Sequence, residues 1–352
     1  MQIVSVWIWE ALKLVPERKA VWLPEEWRSE VPRWLLAYLP NQGRPLAFGP
    51  MTLNDVCVMV PAWFGSVATL FTYWLTAEIS GSTSAGAFAA CVMAIIPAHI
   101  MRSYAGEFDN ECVAMTTFVA FLWLWCRAVR TPGSWPWSVL AGVMYVCAAC
   151  TWGGYIFVNN IVAMHAAVIV VLGKHNYGLY RSYTILWIIG SLGASCVPVI
   201  GWAPIRSLEQ MPALLTFFVF QVMQVCDLYR AAQRGGMSAW KFFFFRCGVF
   251  AVLVGLAAGA AYTLWELGFF MPLGARIRGL FLKAQKTGNP LVDSVAEHQP
   301  SSSQAYERLL GDPRYLSALG LLLFSWHQAT PAKFLVSIYA VVSYYYSLKC
   351  PG

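Results

Sequence analysis

Ten apolar stretches separated by short connections run through this sequence: residues 56–77, 84–101, 113–129, 136–150, 155–172, 183–200, 211–226, 247–264, 316–326 and 334–346. About 20 apolar residues cross a bilayer as one helix. Within lipid, only helices and closed barrels satisfy every backbone polar group. Several of the stretches fall short of that length, so flanking residues are expected to extend them. The pattern predicts an all-α fold, a polytopic transmembrane bundle of about ten helices. Charged residues supply only 12% of the chain, where soluble domains carry roughly 25%. An ordinary soluble globular protein is thereby excluded. So is a disordered chain, which needs the opposite bias.

The loops alternate in charge. One set holds Arg127, Arg130, Lys174, Arg181, Arg230, Arg234, Lys241, Arg246 and Lys333, and the intervening short loops hold Arg102 and Arg206. Basic loops stay cytosolic, so the nine-residue set predicts the cytosolic face. The other short loops, with the long connection from Glu266 to Tyr315, then face the lumen or exterior. This topology accounts for the net charge of +7 without a nucleic-acid partner. The ten cysteines lie mostly within apolar stretches and read as small hydrophobes rather than a disulfide framework. Cys147 and Cys150 form a CxxC on an apolar stretch, outside any soluble redox context. The five histidines have no zinc spacing. Gly255 and Gly259 form a GxxxG that predicts helix packing.

Four regions follow. Residues 1–55 read as a divergent, irregular N-terminal segment. Residues 56–265 form the membrane core. Residues 266–315 form the long lumenal loop. Residues 316–352 carry the last transmembrane helices.

Acidic residues are few, so their grouping informs. The segment Arg102-Ser-Tyr-Ala-Gly-Glu107-Phe-Asp109-Asn-Glu111 gathers three on one predicted lumenal loop. Two readings stand side by side. Asp109 can cap the helix that starts near Glu111, with acids favoured in the first turn. Alternatively, Asp109 and Glu111 can face one way, as residues i and i+2 of an extended segment do. Two close carboxylates repel unless a proton or cation lies between them, and hard oxygen ligands suit Mg²⁺ or Mn²⁺. Arg102 is then placed to orient or neutralise them. The long loop contains Asn289-Pro-Leu-Val-Asp293-Ser294-Val-Ala-Glu297-His298-Gln299-Pro300. It reads either as a solvated surface loop or, at this length, as a functional one.

Three motifs in this order, Arg102-Ser-x-Ala-Gly-x-x-Asp109-Asn110-Glu111, Trp152-Gly153-Gly154-Tyr155 and Ser294-Val-Ala-Glu297-His298-Gln299-Pro300, resemble the catalytic subunit of oligosaccharyltransferase. The resemblance runs from about Met51 to Tyr346, and its wording is most similar to the kinetoplastid single-subunit enzymes. It implies a C-type glycosyltransferase membrane core in the endoplasmic reticulum membrane. The implied activity moves an oligosaccharide from dolichyl pyrophosphate to the Asn of Asn-x-Ser/Thr. The implied partners are the lipid-linked oligosaccharide, an acceptor polypeptide and other oligosaccharyltransferase subunits; the implied cofactor is Mg²⁺ or Mn²⁺. By position, Asp109 and Glu111 match the metal-binding acidic pair and Arg102 matches the arginine that supports it. Glu297 matches the loop glutamate that faces both metal and acceptor amide. Ser294, His298 and Gln299 belong to that acceptor loop.

The resemblance also implies an acidic residue in a first lumenal loop, an arginine for the pyrophosphate, and a C-terminal lumenal domain with a Trp-Trp-Asp signature. None of the three is found in these 352 residues. The sequence is therefore expected to be a truncated form, and the 352-residue polypeptide alone is expected not to transfer glycan. Three alternatives share some of these features. They are another polyprenyl-phosphate glycosyltransferase, a transporter, and an inactive remnant.

Overall fold

The computed structural model describes residues 2–13, 18–20, 46–48, 52–233, 236–271, 303–326 and 331–349. At the N-terminus, α1 (Gln2–Lys13) is followed by a short antiparallel ribbon of β1 (Arg18–Ala20) and β2 (Leu46–Phe48). The irregular reading of the first 55 residues misses these elements, because α1 is too short to span and its apolar run is broken by Glu10. The membrane core begins with α2 (Leu53–Ser80), α3 (Thr83–Ile95) and the short α4 (Pro97–Ile100). Four helices follow: α5 (Glu111–Ala128), α6 (Pro136–Thr151), α7 (Tyr155–Val171) and α8 (Tyr177–Ser195). The short α9 (Ala203–Arg206) leads into α10 (Met211–Ala232) and α11 (Ala239–Glu266). Last come α12 (Ser303–Leu310), α13 (Pro313–Trp326) and α14 (Pro331–Lys349).

Each of the ten apolar stretches is largely helical. Among the described residues, Leu53–Ser80, Glu111–Ala128, Leu208–Ala232 and Ala239–Glu266 are long and apolar enough to cross a membrane. The fold is a multi-pass helical membrane bundle. Local chemistry sets the ends of its elements. Thr52 and Asp55 form a reciprocal capping box at the start of α2, satisfying two orphan backbone donors. Gly81 ends α2 in the left-handed conformation at φ 71°, which glycine adopts without steric cost. Pro97 splits the stretch 84–101 into α3 and α4, because the residue before a proline is pushed out of the helical region; Ile96 has ψ 126°.

α5, α6, α7 and α8 carry most of the buried core, with Phe121, Trp125, Tyr145 and Tyr183 at its centre. α6 and α8 approach through small residues: a Cβ on Gly190 would lie 2.6 Å from the Tyr145 ring. Small residues at such crossings let backbones close up where lipid offers no hydrophobic driving force. Two buried rings inside the bundle pair their polar atoms, which a medium without water favours. The Trp125 indole N–H donates to His165 Nδ1 at 2.9 Å, and His165 Nε2 donates to the Pro331 carbonyl at 2.6 Å. By contrast, Gly255 and Gly259 meet nothing within 4 Å. The GxxxG reading therefore finds no packing partner among the described residues.

The loop cations collect at one rim of the bundle. Arg127 and Arg130, at the end of α5, both pair with Glu78 at the end of α2. Arg181 stacks over Trp135, 3.8 Å from its centroid. Arg230 and Arg246 flank the Phe242 ring. Arg102 and Asp109 lie at the other end of α5. Arg234 and Glu297, which complete the predicted topology, lie outside the described residues.

His175, in the loop between α7 and α8, sits at this basic rim 3.6 Å from Asp227. Burial holds its pKa below the ordinary value of 6.5; Asp227 opposes that shift and Arg246 adds to it. A base with a depressed folded pKa contributes stability that is complete above the unfolded value and is lost as pH falls. The melting temperature, followed by intrinsic fluorescence, is expected to drop between pH 7.5 and 5. His175→Gln should flatten that slope.

Candidate functional site

The acidic centre forms where three chain segments meet. α4 hands the chain to a turn of residues 101–106, and this segment packs along the first half of α2. Gly65 makes the approach possible, because a Cβ there would lie 2.5 Å from Ser103 Cβ. His99 Nε2 donates to the Gly65 carbonyl at 3.2 Å, and Ser103 Oγ donates to the His99 carbonyl at 2.7 Å. The Gly106 N–H donates to the Val58 carbonyl at 2.9 Å, and Gly106 takes φ 101°. Together these contacts fix Arg102 at the mouth of the Asp-Asn-Glu segment.

Arg102 then gathers the acids. Its Nε lies 3.0 Å from a Glu111 oxygen, and its Nη1 lies 3.6 Å from Asp109 and 3.9 Å from Glu107. All four side chains are about one-third exposed. The i and i+2 carboxylates do converge on one group. They do so across the start of a helix, since Glu111 is its first residue, and not along an extended strand.

The capping reading has a specific outcome. Asn110, not Asp109, occupies the N-cap of α5, and no side chain caps that helix end. Asp109 Oδ1 accepts the Asn110 N–H at 2.6 Å, which leaves its other oxygen facing Arg102. The Asn110 side-chain amide donates to the Thr151 carbonyl at the end of α6. That bond ties the acidic segment to the turn after α6. In this turn Trp152 lies against Phe118 of α5, with centroids 5.9 Å apart. A Cβ on Gly154 would overlap the Trp152 ring, so any larger residue there would displace the indole from its place beside Phe118. Tyr155, the last residue of the motif, accepts from Gln210 Nε2 at 3.1 Å and so links the turn to the head of α10.

Glu297, Ser294, His298 and Gln299 lie outside the described residues. The helix on their C-terminal side, α12, starts at Ser303 and packs on α4, which ends two residues before Arg102. Glu297 lies six positions before Ser303, and six extended residues reach about 20 Å at most. Among the described residues no group of three or more His, Cys, Asp or Glu is arranged to hold a metal. The roles of Gly65, Ser103 and the Asn110–Thr151 bond were not readable from spacing, because they depend on contacts between separate elements.

Fold and site together define a multi-pass membrane protein with an arginine-balanced carboxylate cluster at the rim opposite its basic loops. The family profile described as "Oligosaccharyl transferase STT3, N-terminal" matches residues 36–349, and the chain belongs to that family. The match begins ahead of residue 51, where the sequence resemblance starts. A similar relative is the dolichyl-diphosphooligosaccharide–protein glycosyltransferase subunit stt3 of Schizosaccharomyces pombe, 33% identical over 251 residues, covering 71% of this chain and 33% of the relative. The chain spans about a third of the length of the curated relatives it first matches.

Solved structures of the oligosaccharyltransferase of Archaeoglobus fulgidus share the fold. The apo form superposes with a TM-score of 0.60 at 18% identity, covering 85% of this chain and 37% of that one. The complex with an inhibitory peptide and a dolichol-phosphate gives 0.59 at 15%, covering 99% and 47%. A complex with Zn and sulfate gives 0.52 at 15%, covering 99% and 47%.

Proposed function

We propose that this chain supplies the membrane core of the catalytic subunit of a protein N-glycosylation enzyme, a subunit that transfers oligosaccharide from dolichyl pyrophosphate to Asn in Asn-x-Ser/Thr, and that these residues act within a subunit of the length its relatives have. The observation that carries the reading is the convergence of Asp109 and Glu111 on Arg102, tied through Asn110 to the Trp152-Gly153-Gly154-Tyr155 turn. Family membership and the name of the S. pombe relative support it. The working location is the endoplasmic reticulum membrane, with other oligosaccharyltransferase subunits as partners. In this scheme residues 56–265 supply the carboxylates and residues 266–315 supply Glu297. The packing of α12 on α4 supports that assignment.

The donor set suits Mg²⁺ or Mn²⁺. Mg²⁺ is held through one or two carboxylates together with substrate phosphates, and the pair that Arg102 balances offers two. Asp109, Glu111 and Glu297 are the proposed ligands. A bound divalent ion supplies charge stabilisation for a pyrophosphate leaving group. The residues themselves have a separate task. An amide nitrogen is a weak nucleophile, because its lone pair is delocalised into the carbonyl. Carboxylate oxygens accepting from the acceptor N–H groups hold that nitrogen in line and weaken the delocalisation. Arg102 holds the two carboxylates in register, while Ser294, His298 and Gln299 flank the acceptor.

The test uses membranes of cells in which the gene for this chain is the sole source of the family's catalytic subunit. A fluorescent Asn-x-Thr peptide should gain glycan from a lipid-linked donor, and the matching Gln-x-Thr peptide should not. Equal labelling of both peptides, or transport of the donor without transfer, would reject the assignment.

A further inference from the structure

The basic rim contains a cleft that the transfer reaction does not use. It lies where the ends of α2 and α5 meet the starts of α3 and α6, and its volume is about 480 Å³. Ligand pockets typically occupy about 300–1,000 Å³. Trp74, Trp123 and Trp137 form its aromatic wall, and Glu78, Arg127 and Arg130 form its polar end. Trp74 and Trp123 are stacked at 5.2 Å, and Trp137 meets Trp123 edge-on at 5.8 Å.

The polar end is built rather than incidental. The Glu78 side chain is only 7% exposed and accepts from Arg127 at 2.7 Å and from Arg130 at 3.1 Å. One buried carboxylate thus holds two guanidinium groups side by side. Two positive charges against one negative leave the group at +1. The hydrogen bonds to Glu78 use a single nitrogen, Nη1, of each arginine. A guanidinium carries five N–H donors in a planar fork suited to phosphate. Arg127 also lies 5.6 Å from the Trp137 centroid, within cation–π range.

The approach to the cleft is apolar. Val67, Leu70 and Trp74 follow one another up one face of α2 and are exposed by 41%, 46% and 36%. This stripe lies in the membrane-spanning part of α2 and ends at the arginines. A free phosphate compound has no use for such a lane; an acyl chain does. Cytoplasmic leaflets carry anionic lipids that attract basic residues next to spanning helices, and this rim is the one that the charge pattern places in the cytosol.

We propose that this cleft binds the headgroup of an anionic phospholipid. The phosphate sits on the Arg127–Arg130 fork, the headgroup rests against Trp123 and Trp137, and an acyl chain lies along Val67, Leu70 and Trp74. The site is separate from the acidic centre at the opposite rim.

Native mass spectrometry of the purified full chain, offered equal phosphatidylserine and phosphatidylcholine, tests the assignment. Phosphatidylserine adducts are expected to be retained in clear excess. The triple change Glu78→Gln, Arg127→Gln and Arg130→Gln removes the charge without leaving a buried carboxylate unpaired. It should lower retention roughly tenfold, and Arg130→Gln alone roughly fivefold. Arg181→Gln, an equal charge change at the same rim, should leave retention unaltered. Should the triple variant fail to fold, the single Arg130→Gln result decides. Equal retention of the two lipids would overturn the proposal. So would undiminished phosphatidylserine binding in the Arg130→Gln variant. Full displacement by millimolar inorganic phosphate would assign the cleft to a soluble phosphate compound and likewise overturn it.

Discussion

Replacing Asp109 with alanine is expected to lower glycan transfer at least about a hundredfold, and Glu111→Ala should do the same. The two carboxylates meet at one guanidinium, with Arg102 Nε 3.0 Å from Glu111 and Nη1 3.6 Å from Asp109. Removing either takes the cluster of Glu107, Asp109, Glu111 and Arg102 from a net charge of −2 to −1 and removes one of its two proposed metal ligands, so a divalent ion is held far more weakly. The acceptor amide loses an oxygen that accepts its proton in the same step. Groups that act as a unit lose activity together, so the double variant should be hardly worse than either single one. Asp227→Asn at the opposite rim removes an acid of the same type, and transfer should remain near the starting rate. Initial rates with the fluorescent Asn-x-Thr peptide give the comparison. A Glu111→Ala chain that kept most of its rate would return Glu111 to the role of a first-turn helix acid.

Gly65→Ala is expected to have the second-largest effect, although no charged group is touched. The new Cβ would stand 2.5 Å from Ser103 Cβ and 2.8 Å from Ser103 Oγ. Both atoms belong to the residue next to Arg102. Overpacking of this kind costs about 1–3 kcal/mol, and the turn of residues 101–106 is free to yield where the helix α2 is not. Arg102 moves with it, so transfer should fall about tenfold along with the melting temperature. Ser103→Gly removes both clashing atoms. The double variant Gly65→Ala/Ser103→Gly is therefore expected to recover most of the lost stability and rate, and the coupling energy of the cycle measures the contact. Failure of Ser103→Gly to rescue would locate the damage elsewhere in α2.

Much of this arrangement was legible in the sequence, for reasons that differ between elements. The apolar stretches reported helices because hydrocarbon allows no other open element. Their ends were less legible. α8 starts at Tyr177 and not at 183, since Asn176 accepts the Leu179 N–H and caps a turn whose residues do not look apolar. α11 extends back to Ala239 through the Phe242–Phe245 run, which the 247–264 stretch leaves out. The acidic segment was readable because charge is scarce in a membrane chain. The Trp152-Gly153-Gly154-Tyr155 segment was picked out only through the family resemblance, and its place as a turn beside Phe118 came from the structure. The scaffolding between elements could not be read. Asn110 sits between two acids and gives no sign of its partner at Thr151, some forty positions on in the chain. Gly65 is one small residue in an apolar helix until Ser103 is seen against it.

The role proposed for the Asp109–Glu111 pair is that of a divalent-cation site at which Glu297 also acts. Titration of Mn²⁺ into the purified chain, followed by the loss of its free electron paramagnetic resonance signal, tests this without requiring turnover. One saturable site per chain is predicted. Asp109→Ala and Glu111→Ala should each abolish it, and Glu297→Ala should weaken it about tenfold or more. Mn²⁺ binding that is equal in the unaltered chain and all three variants would contradict that role.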